Sequence, residues 1–293
     1  DRSINPYRGC EHGCVYCFAR PTHAFLGLSP GLDFETKILV KPDAPARLDA
    51  ELRAKGYRCR PIAMGTNTDP YQPIEKERRV MRGLLEVLQA HRHPVTIVTK
   101  GALVTRDADI LGEMGRAGLA RVAVSLTTMD RRLSRAMEPR AASPTQRLRA
   151  IAALNAAGCP TGTLIAPVVP ALTDHEMERL MEAAAGAGAG FAGYVLLRLP
   201  LEVRELFEEW LREHAPDRAE RVLGRVRDLR GGRANDPRFG TRMTGEGVWA
   251  DLLRRRFRTA AKRLGLAEER RGTLRTDLFA PPPREGDQLS LGL

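Results

Sequence analysis

The stretch NPYRGCEHGCVYCFARPTH, residues 5–23, holds Cys10, Cys14 and Cys17 in a C-x3-C-x2-C spacing, with Tyr16 directly before the third cysteine. Three thiolates on a loop that also carries Gly9 and Gly13 can converge on one metal centre. A structural zinc site asks for four ligands, and a ferredoxin-type cluster asks for four cysteines. Three cysteines on a 4Fe-4S cluster would leave one iron open for a substrate or cofactor. Two other readings stand beside this one: a zinc site completed by His12 or His23, and buried thiols with no metal. His12 and His23 themselves read as structural groups that hydrogen-bond near the centre.

The surrounding 293 residues are 43% hydrophobic but only 5% aromatic, so the core is expected to be built from Ala, Leu, Val and Ile. The length suits one large domain with an appendage. There is no run of about 18 apolar residues, so no membrane span is expected. The chain opens Asp-Arg-Ser-Ile-Asn, with neither Met nor an apolar signal region, and a preceding segment is therefore expected. Five cysteines, three of them clustered, do not resemble a secreted disulfide framework, and a cytoplasmic location is expected. The net charge of +11 favours polyanionic partners, nucleic acid first.

Outward along the chain, apolar strands alternate with amphipathic helices. Residues 34–40 read as a short strand, with Asp43 as N-cap of a helix over 46–55. Strands follow at 61–65, 95–99, 121–126, 163–168 and 194–197. Helices are expected over 74–91, over 108–117 ahead of Gly118, near 131–137, over 143–157, and from Thr173 to about Ala185. Ser143 with Gln146, and Thr173 with Glu176, have the spacing of capping boxes. With Ser3-Ile4-Asn5 entering the cysteine loop, six βα units are counted, which indicates parallel strands. Six are too few for a closed eight-fold barrel. A partial barrel and an open doubly wound sheet both fit, and both place ligands at the carboxyl ends of the strands.

From Leu201 the strand pattern stops. Helices are expected over 202–214, 218–229 and 246–264, with a Gly- and Arg-rich loop over 230–237. Arg254, Arg255, Arg256, Arg258, Lys262 and Arg263 form a candidate phosphate-contact stripe. The stretch APPPREGD, residues 280–287, reads as a flexible linker. The organisation is thus a barrel over 1–200, a basic helical extension over 201–279, and a tail over 280–293.

The C-x3-C-x2-C stretch, with its aromatic before the last cysteine, resembles the radical S-adenosylmethionine (SAM) superfamily. The resemblance implies an α/β fold, a partial (β/α)6 TIM-like barrel. It also implies a 4Fe-4S cluster on Cys10, Cys14 and Cys17, whose fourth iron is chelated by the amino and carboxylate groups of SAM. The runs T-x-T-D-P-Y-Q-P-x-E from Thr66, V-T-K-G around Lys100, A-V-S-L around Ser125 and E-P-R ending at Arg140 are similar to the spore photoproduct lyase-like branch. By that resemblance Tyr16, Thr66 and Asp69 lie near SAM, Lys100 holds its carboxylate, Ser125 contacts its polar groups, and Arg140 and Arg198 contact SAM or substrate.

One position departs from that branch. The lyase keeps a hydrogen-donating cysteine just before the Ser/Thr of the second-strand motif, where this chain has Gly65. Cys59 and Cys159 read as bystanders, and Tyr71 and Tyr194 as remote candidates for a radical relay. The last six residues, from Gln288 to Leu293, resemble the peptide that binds the bacterial sliding clamp. The expected function is reductive cleavage of SAM to a 5'-deoxyadenosyl radical acting on nucleic acid, with a DNA lesion as the candidate substrate and flavodoxin or ferredoxin as electron donor. The alternatives are a radical SAM enzyme acting on protein or small molecules, and a non-catalytic iron–sulfur DNA-binding or redox-sensing protein.

Overall fold

Short apolar runs bounded by turns form the strands of one parallel sheet. The computed structural model describes residues 2–238, 240–268 and 274–283. The strands are β1 (Arg2–Ile4), β2 (Ile62–Met64), β3 (Val95–Thr99), β4 (Ala120–Leu126), β5 (Thr161–Val168), β6 (Phe191–Leu196) and β7 (Ala267–Glu268). They lie in chain order and every neighbouring pair is parallel. The first and last strands do not pair, so the sheet is an open partial barrel. β7 is a seventh strand where six were expected. Its two residues sit beside Phe191 and Ala192 and carry no periodicity that a sequence pattern could reveal.

Helices α1 (Ala44–Leu52), α2 (Val80–Ala90), α3 (Ala108–Arg116), α4 (Pro144–Ala156) and α5 (Met177–Gly186) fill the crossovers. Their apolar faces, such as Leu84, Leu85 and Leu88 of α2, share one core with Met64, Ile97, Val124 and Ile165 of the strands. α4 starts at the capping box that its sequence suggests, Ser143 with Gln146.

Four local expectations are corrected. Residues 34–40 do not form one strand: Leu32–Thr36 is a single helical turn, and only Leu39–Val40 is extended, pairing antiparallel with Tyr7–Arg8. The helix over 74–91 is broken at Arg79, whose φ is +50°. The cause is Glu75, fully buried, whose carboxylate accepts the Met81 amide of the next helix at 3.0 Å and caps it. Thr173 and Glu176 form no capping box. Glu176 instead accepts from the Met129 amide at 2.9 Å and from the Thr128 hydroxyl, tying α5 to the end of β4. Asp43 likewise precedes α1 without capping it, because its carboxylate pairs with Arg47.

Helices α6 (Val203–His214), α7 (Pro216–Asp228) and α8 (Gly247–Arg263) follow. α8 joins the main core through Leu253 and Phe257. α6 and α7 pack Phe207, Trp210, Leu211 and Val222 against Cys14, Tyr16, Val169 and Leu197, forming a second core over the cysteine loop. At the opposite end, residues 274–283 cross the amino ends of the strands. The Arg275 amide donates to Gly118, the Ala280 amide to His91, and Arg53 to the Pro282 carbonyl. The start of the expected linker is therefore seated, while the six residues from Gln288 to Leu293 lie outside the described residues.

Candidate metal centre

The cysteine loop leaves the carboxyl end of β1 and is held from four sides. Gly9 and Gly13 take φ of +83° and +66°, a turn that a side chain would strain. The Cys10 amide donates to Phe34 O at 2.9 Å, and the Cys17 amide to Cys14 O at 3.1 Å. Arg20, 3% exposed, sits inside the loop and uses all five of its N–H donors. Nε reaches Cys14 O, Nη1 reaches Pro30 O and Gly31 O, and Nη2 reaches Gly13 O and the Glu35 carboxylate. Gln72, fully buried, accepts the Glu11 amide at 2.9 Å and donates to Gly9 O at 3.2 Å.

Cys10 and Cys14 are buried and Cys17 is half-buried. Burial drives all three thiols toward the protonated form. Cys10 is pushed well above its ordinary range by burial and then by Asp69, Cys14 to about 12 by burial and then by Glu138, and Cys17 up by burial. Iron binds thiolate, so a cluster here would supply the positive charge that the protein withholds and would release the protons. Among the described residues no three His, Cys, Asp or Glu side chains are gathered to hold a single ion. Cys14 and Cys17 lie near enough to Cys10 to add to the rise of its pKa, and a cubane, which gives each of three neighbouring thiolates its own iron, fits this set. His12 and His23 each turn one ring nitrogen to another partner, and among the described residues His23 Nδ1 is buried without one. His12 Nδ1 lies 3.4 Å from Asp69, and His23 Nε2 meets Lys37 O at 3.1 Å.

The strand ends supply the facing wall. Asp69, after β2, is a hub: its carboxylate accepts from the Tyr71 amide at 2.9 Å, the Thr99 hydroxyl at 2.6 Å and the Lys100 amide at 2.6 Å. Burial raises its pKa, but His12 and these donors outweigh burial and hold it at about 2. Asp69 therefore joins the ends of β2 and β3. Lys100 places its ammonium 5.7 Å from the centre of the Tyr16 ring. Among the described residues no carboxylate forms an ion pair with Lys100. Tyr16 donates to Glu138, which also accepts from Thr127 at 2.7 Å and pairs with buried Arg147. Against the effect of burial, Arg147 and Lys100 hold Glu138 at about 2.

The remaining expected residues divide. Thr66 is exposed in the loop after β2, its hydroxyl 3.4 Å from Asn5 Nδ2. Ser125 is buried near the end of β4, and its carbonyl accepts from Arg147 at 3.2 Å. Arg140 binds the Glu11 carbonyl and the Glu35 carboxylate, so its guanidinium braces the cysteine loop. Arg198 lies over Phe18 at 4.9 Å, and among the described residues its buried Nε has no partner. Cys59 and Cys159 precede β2 and β5, at the amino ends of the strands, away from the loop. Tyr194 faces Phe257 of α8. Four contributors escaped the sequence reading: Arg20, Gln72, Glu138 and Arg147. Three of them stand inside or beside quoted motifs, A-R-P, Y-Q-P and E-P-R, where the charged or amide residue next to proline was the available signal.

A parallel partial barrel with three cysteines on the loop after its first strand defines a class. Residues 4–184 match the model of the radical SAM superfamily, and the chain belongs to that superfamily of enzymes, whose cofactors are SAM and an iron–sulfur cluster. Its sequence is 40% identical over 229 residues to uncharacterized proteins of Mycobacterium bovis and Mycobacterium tuberculosis, covering 78% of this chain and 66% of theirs. It is 28% identical over 174 residues to an uncharacterized protein of Methanocaldococcus jannaschii, covering 59% of this chain and 62% of that one. The chain thus spans about two thirds or less of the length of these relatives. Among solved structures, a mutant of spore photoproduct lyase superposes with a TM-score of 0.66 at 18% identity, over 91% of this chain and 75% of the lyase. A second mutant, with bound AdoMet and dinucleoside spore photoproduct, gives 0.63 at 18% identity over the same shares. The two proteins share this fold. No helix among the described residues is long and apolar enough to cross a membrane.

Proposed function

We propose that the chain binds a 4Fe-4S cluster through Cys10, Cys14 and Cys17 and uses it with SAM to act on nucleic acid. One juxtaposition carries the reading: three loop thiols without a fourth, facing an ammonium that pairs with no carboxylate among the described residues. When bound, the cluster and SAM supply one-electron chemistry, in which an electron from a flavodoxin or ferredoxin breaks the sulfonium C–S bond and gives methionine and a 5'-deoxyadenosyl radical. Lys100 is assigned to the SAM carboxylate, because it is a cation at the mouth that forms no ion pair among the described residues. Asp69 orients Lys100 through its backbone amide. Thr66 and Ser125 are assigned to the polar groups of SAM, and Tyr16, tethered by Glu138, to the wall beside Lys100. Arg198, whose Nε lacks an acceptor among the described residues, is assigned to an anionic group of SAM or substrate. The second core over the loop keeps water from the site.

Nucleic acid is favoured by the net charge of +11 and by the dinucleoside ligand of the lyase structure that shares this fold. The reaction is repair of a DNA lesion or modification of nucleic acid. A cytoplasmic setting, a separate role for residues 201–279 and clamp binding through the segment from Gln288 to Leu293 belong to the same reading. The test is anaerobic reconstitution followed by addition of dithionite and SAM, with 5'-deoxyadenosine measured by chromatography. Wild type is expected to form it and Cys14→Ala to form none. Wild type that binds SAM yet yields no more than Cys14→Ala would overturn the reading.

A further inference from the structure

The sequence places its densest positive charge on α8, but the fold neutralises much of that stripe. Arg254 pairs with Asp251, Arg256 with Glu178 and Arg263 with Glu182. Arg255, Arg258 and Lys262 keep their charge exposed there, and a second group of free cations stands elsewhere. Arg131, Arg132, Arg135, Arg149, Arg218 and Arg221 are exposed, and among the described residues none of their guanidiniums takes an ion pair or hydrogen bond. All six line a run of three hollows of about 610, 520 and 380 Å³.

The middle and third hollows adjoin, and the first lies across a short helix from the middle one. The short helix Arg131–Met137 separates the first from the middle, offering Arg131 and Arg135 to one and Arg132 to the other. The middle and third hollows share Arg218. Aromatic rings accompany the arginines: His214, stacked on Trp210, lines the middle hollow, and Trp249 lines the third. Among the described residues Trp249 Nε1 is a buried donor with no partner. Acids are present but partly engaged. Asp130 caps the short helix by accepting the Arg132 and Leu133 amides, while Asp217 lies between the middle and third hollows.

This run touches the candidate centre. Glu138 lines the first hollow and accepts the Tyr16 hydroxyl, and Met137 O accepts the Val15 amide within the cysteine loop. We propose that the three hollows hold a single strand of nucleic acid, with phosphodiesters on the six free arginines and bases against His214 and Trp249. Grooves of free cations interleaved with aromatic rings are the surfaces that follow a single strand. The inference rests on the reading that the substrate is nucleic acid, and it names the surface that would deliver it.

The test is fluorescence anisotropy of a labelled single-stranded oligonucleotide and its duplex, across a salt series, with the reconstituted full chain. R131A/R135A/R218A/R221A is expected to bind the single strand at least about tenfold more weakly. Its salt slope should be shallower by about 2 to 3, near 0.7 for each phosphate left without its arginine. The matching set of four Arg→Lys changes should restore most of the affinity, which a folding defect would not allow. R255A/R258A on α8 should stay within about twofold of wild type. Wild type binding with no effect of the fourfold alanine variant would overturn the surface and leave the nucleic-acid reading standing. No binding by wild type at low salt would overturn both. Equal affinity for the duplex, reduced equally in the variant, would overturn the single-strand assignment.

Discussion

At Gly65 the backbone takes φ of +81°, and a Cβ built there would stand 1.9 Å from Val98 O. The position that bears the hydrogen-donating cysteine in the lyase-like pattern is therefore closed here to any side chain. A left-handed residue other than glycine costs roughly 1–3 kcal/mol, before the collision with β3 is counted. Gly65→Cys is expected to lower the melting temperature by about 5 °C or more and to reduce iron content, measured by thermal unfolding and metal analysis. A variant as stable as wild type would show that β3 yields. Glu138 is the second decisive residue. Its folded pKa of about 2 lies below the ordinary carboxylate range. A depressed folded pKa stabilises the fold above the unfolded value near 4.3, and that contribution is lost as pH falls toward 2. Urea midpoints of wild type are expected to drop between pH 5 and pH 3 by more than those of Glu138→Gln. Equal drops would mean that Arg147 does not hold the carboxylate ionised.

The cysteine loop shows how much of an element a sequence can disclose. Its three sulfurs, and the strands that present Asp69 and Lys100 opposite them, were legible because buried parallel strands read as apolar runs and polar residues at their ends stand out. The groups that shape the loop were not. Arg20 and Gln72 act through backbone carbonyls and amides, and no spacing rule marks a side chain whose partners are main-chain atoms. The break at Arg79 was hidden for a related reason, since the helical period continues across it while the capping Glu75 lies six residues before the amide it accepts. Arg140 was legible as important but not as a brace, because sequence does not say which anion a cation meets. Arg20 gives the sharpest test at this scale. Lysine keeps the charge but cannot serve five acceptors in a plane. Arg20→Lys is expected to retain the fold by circular dichroism yet to bind roughly half or less of the wild-type iron after reconstitution. Full iron loading would reduce Arg20 to a packing residue.

In the whole molecule the two ends of the partial barrel do different work. At the carboxyl ends, α6 and α7 cover the cysteine loop with a second apolar core, so the C-terminal helices help to build the centre. At the amino ends, residues 274–283 lie under the turns that lead into β3 and β4, bonded to His91 and Gly118. Phe279 anchors this strap, its ring 5.4 Å from Tyr57 and 5.5 Å from His93. His93 is held neutral by burial, its pKa lowered to about 4, and its Nε2 meets the Tyr57 hydroxyl at 2.9 Å. The strap thus packs on a cluster of aromatic rings, with the Arg2 guanidinium 4.4 Å from the Tyr57 ring, at the end of the barrel remote from the cysteine loop. If that division holds, loosening the strap should weaken the fold and spare the centre. Phe279 is half-buried, so Phe279→Ala is expected to cost about 2 kcal/mol and to lower the melting temperature by roughly 4–8 °C. Amide exchange should quicken at Arg275 and Ala280, the strap amides that donate to Gly118 and His91, while SAM affinity by titration calorimetry stays within about twofold of wild type. A loss of SAM affinity in step with stability would mean that the two ends of the barrel open together.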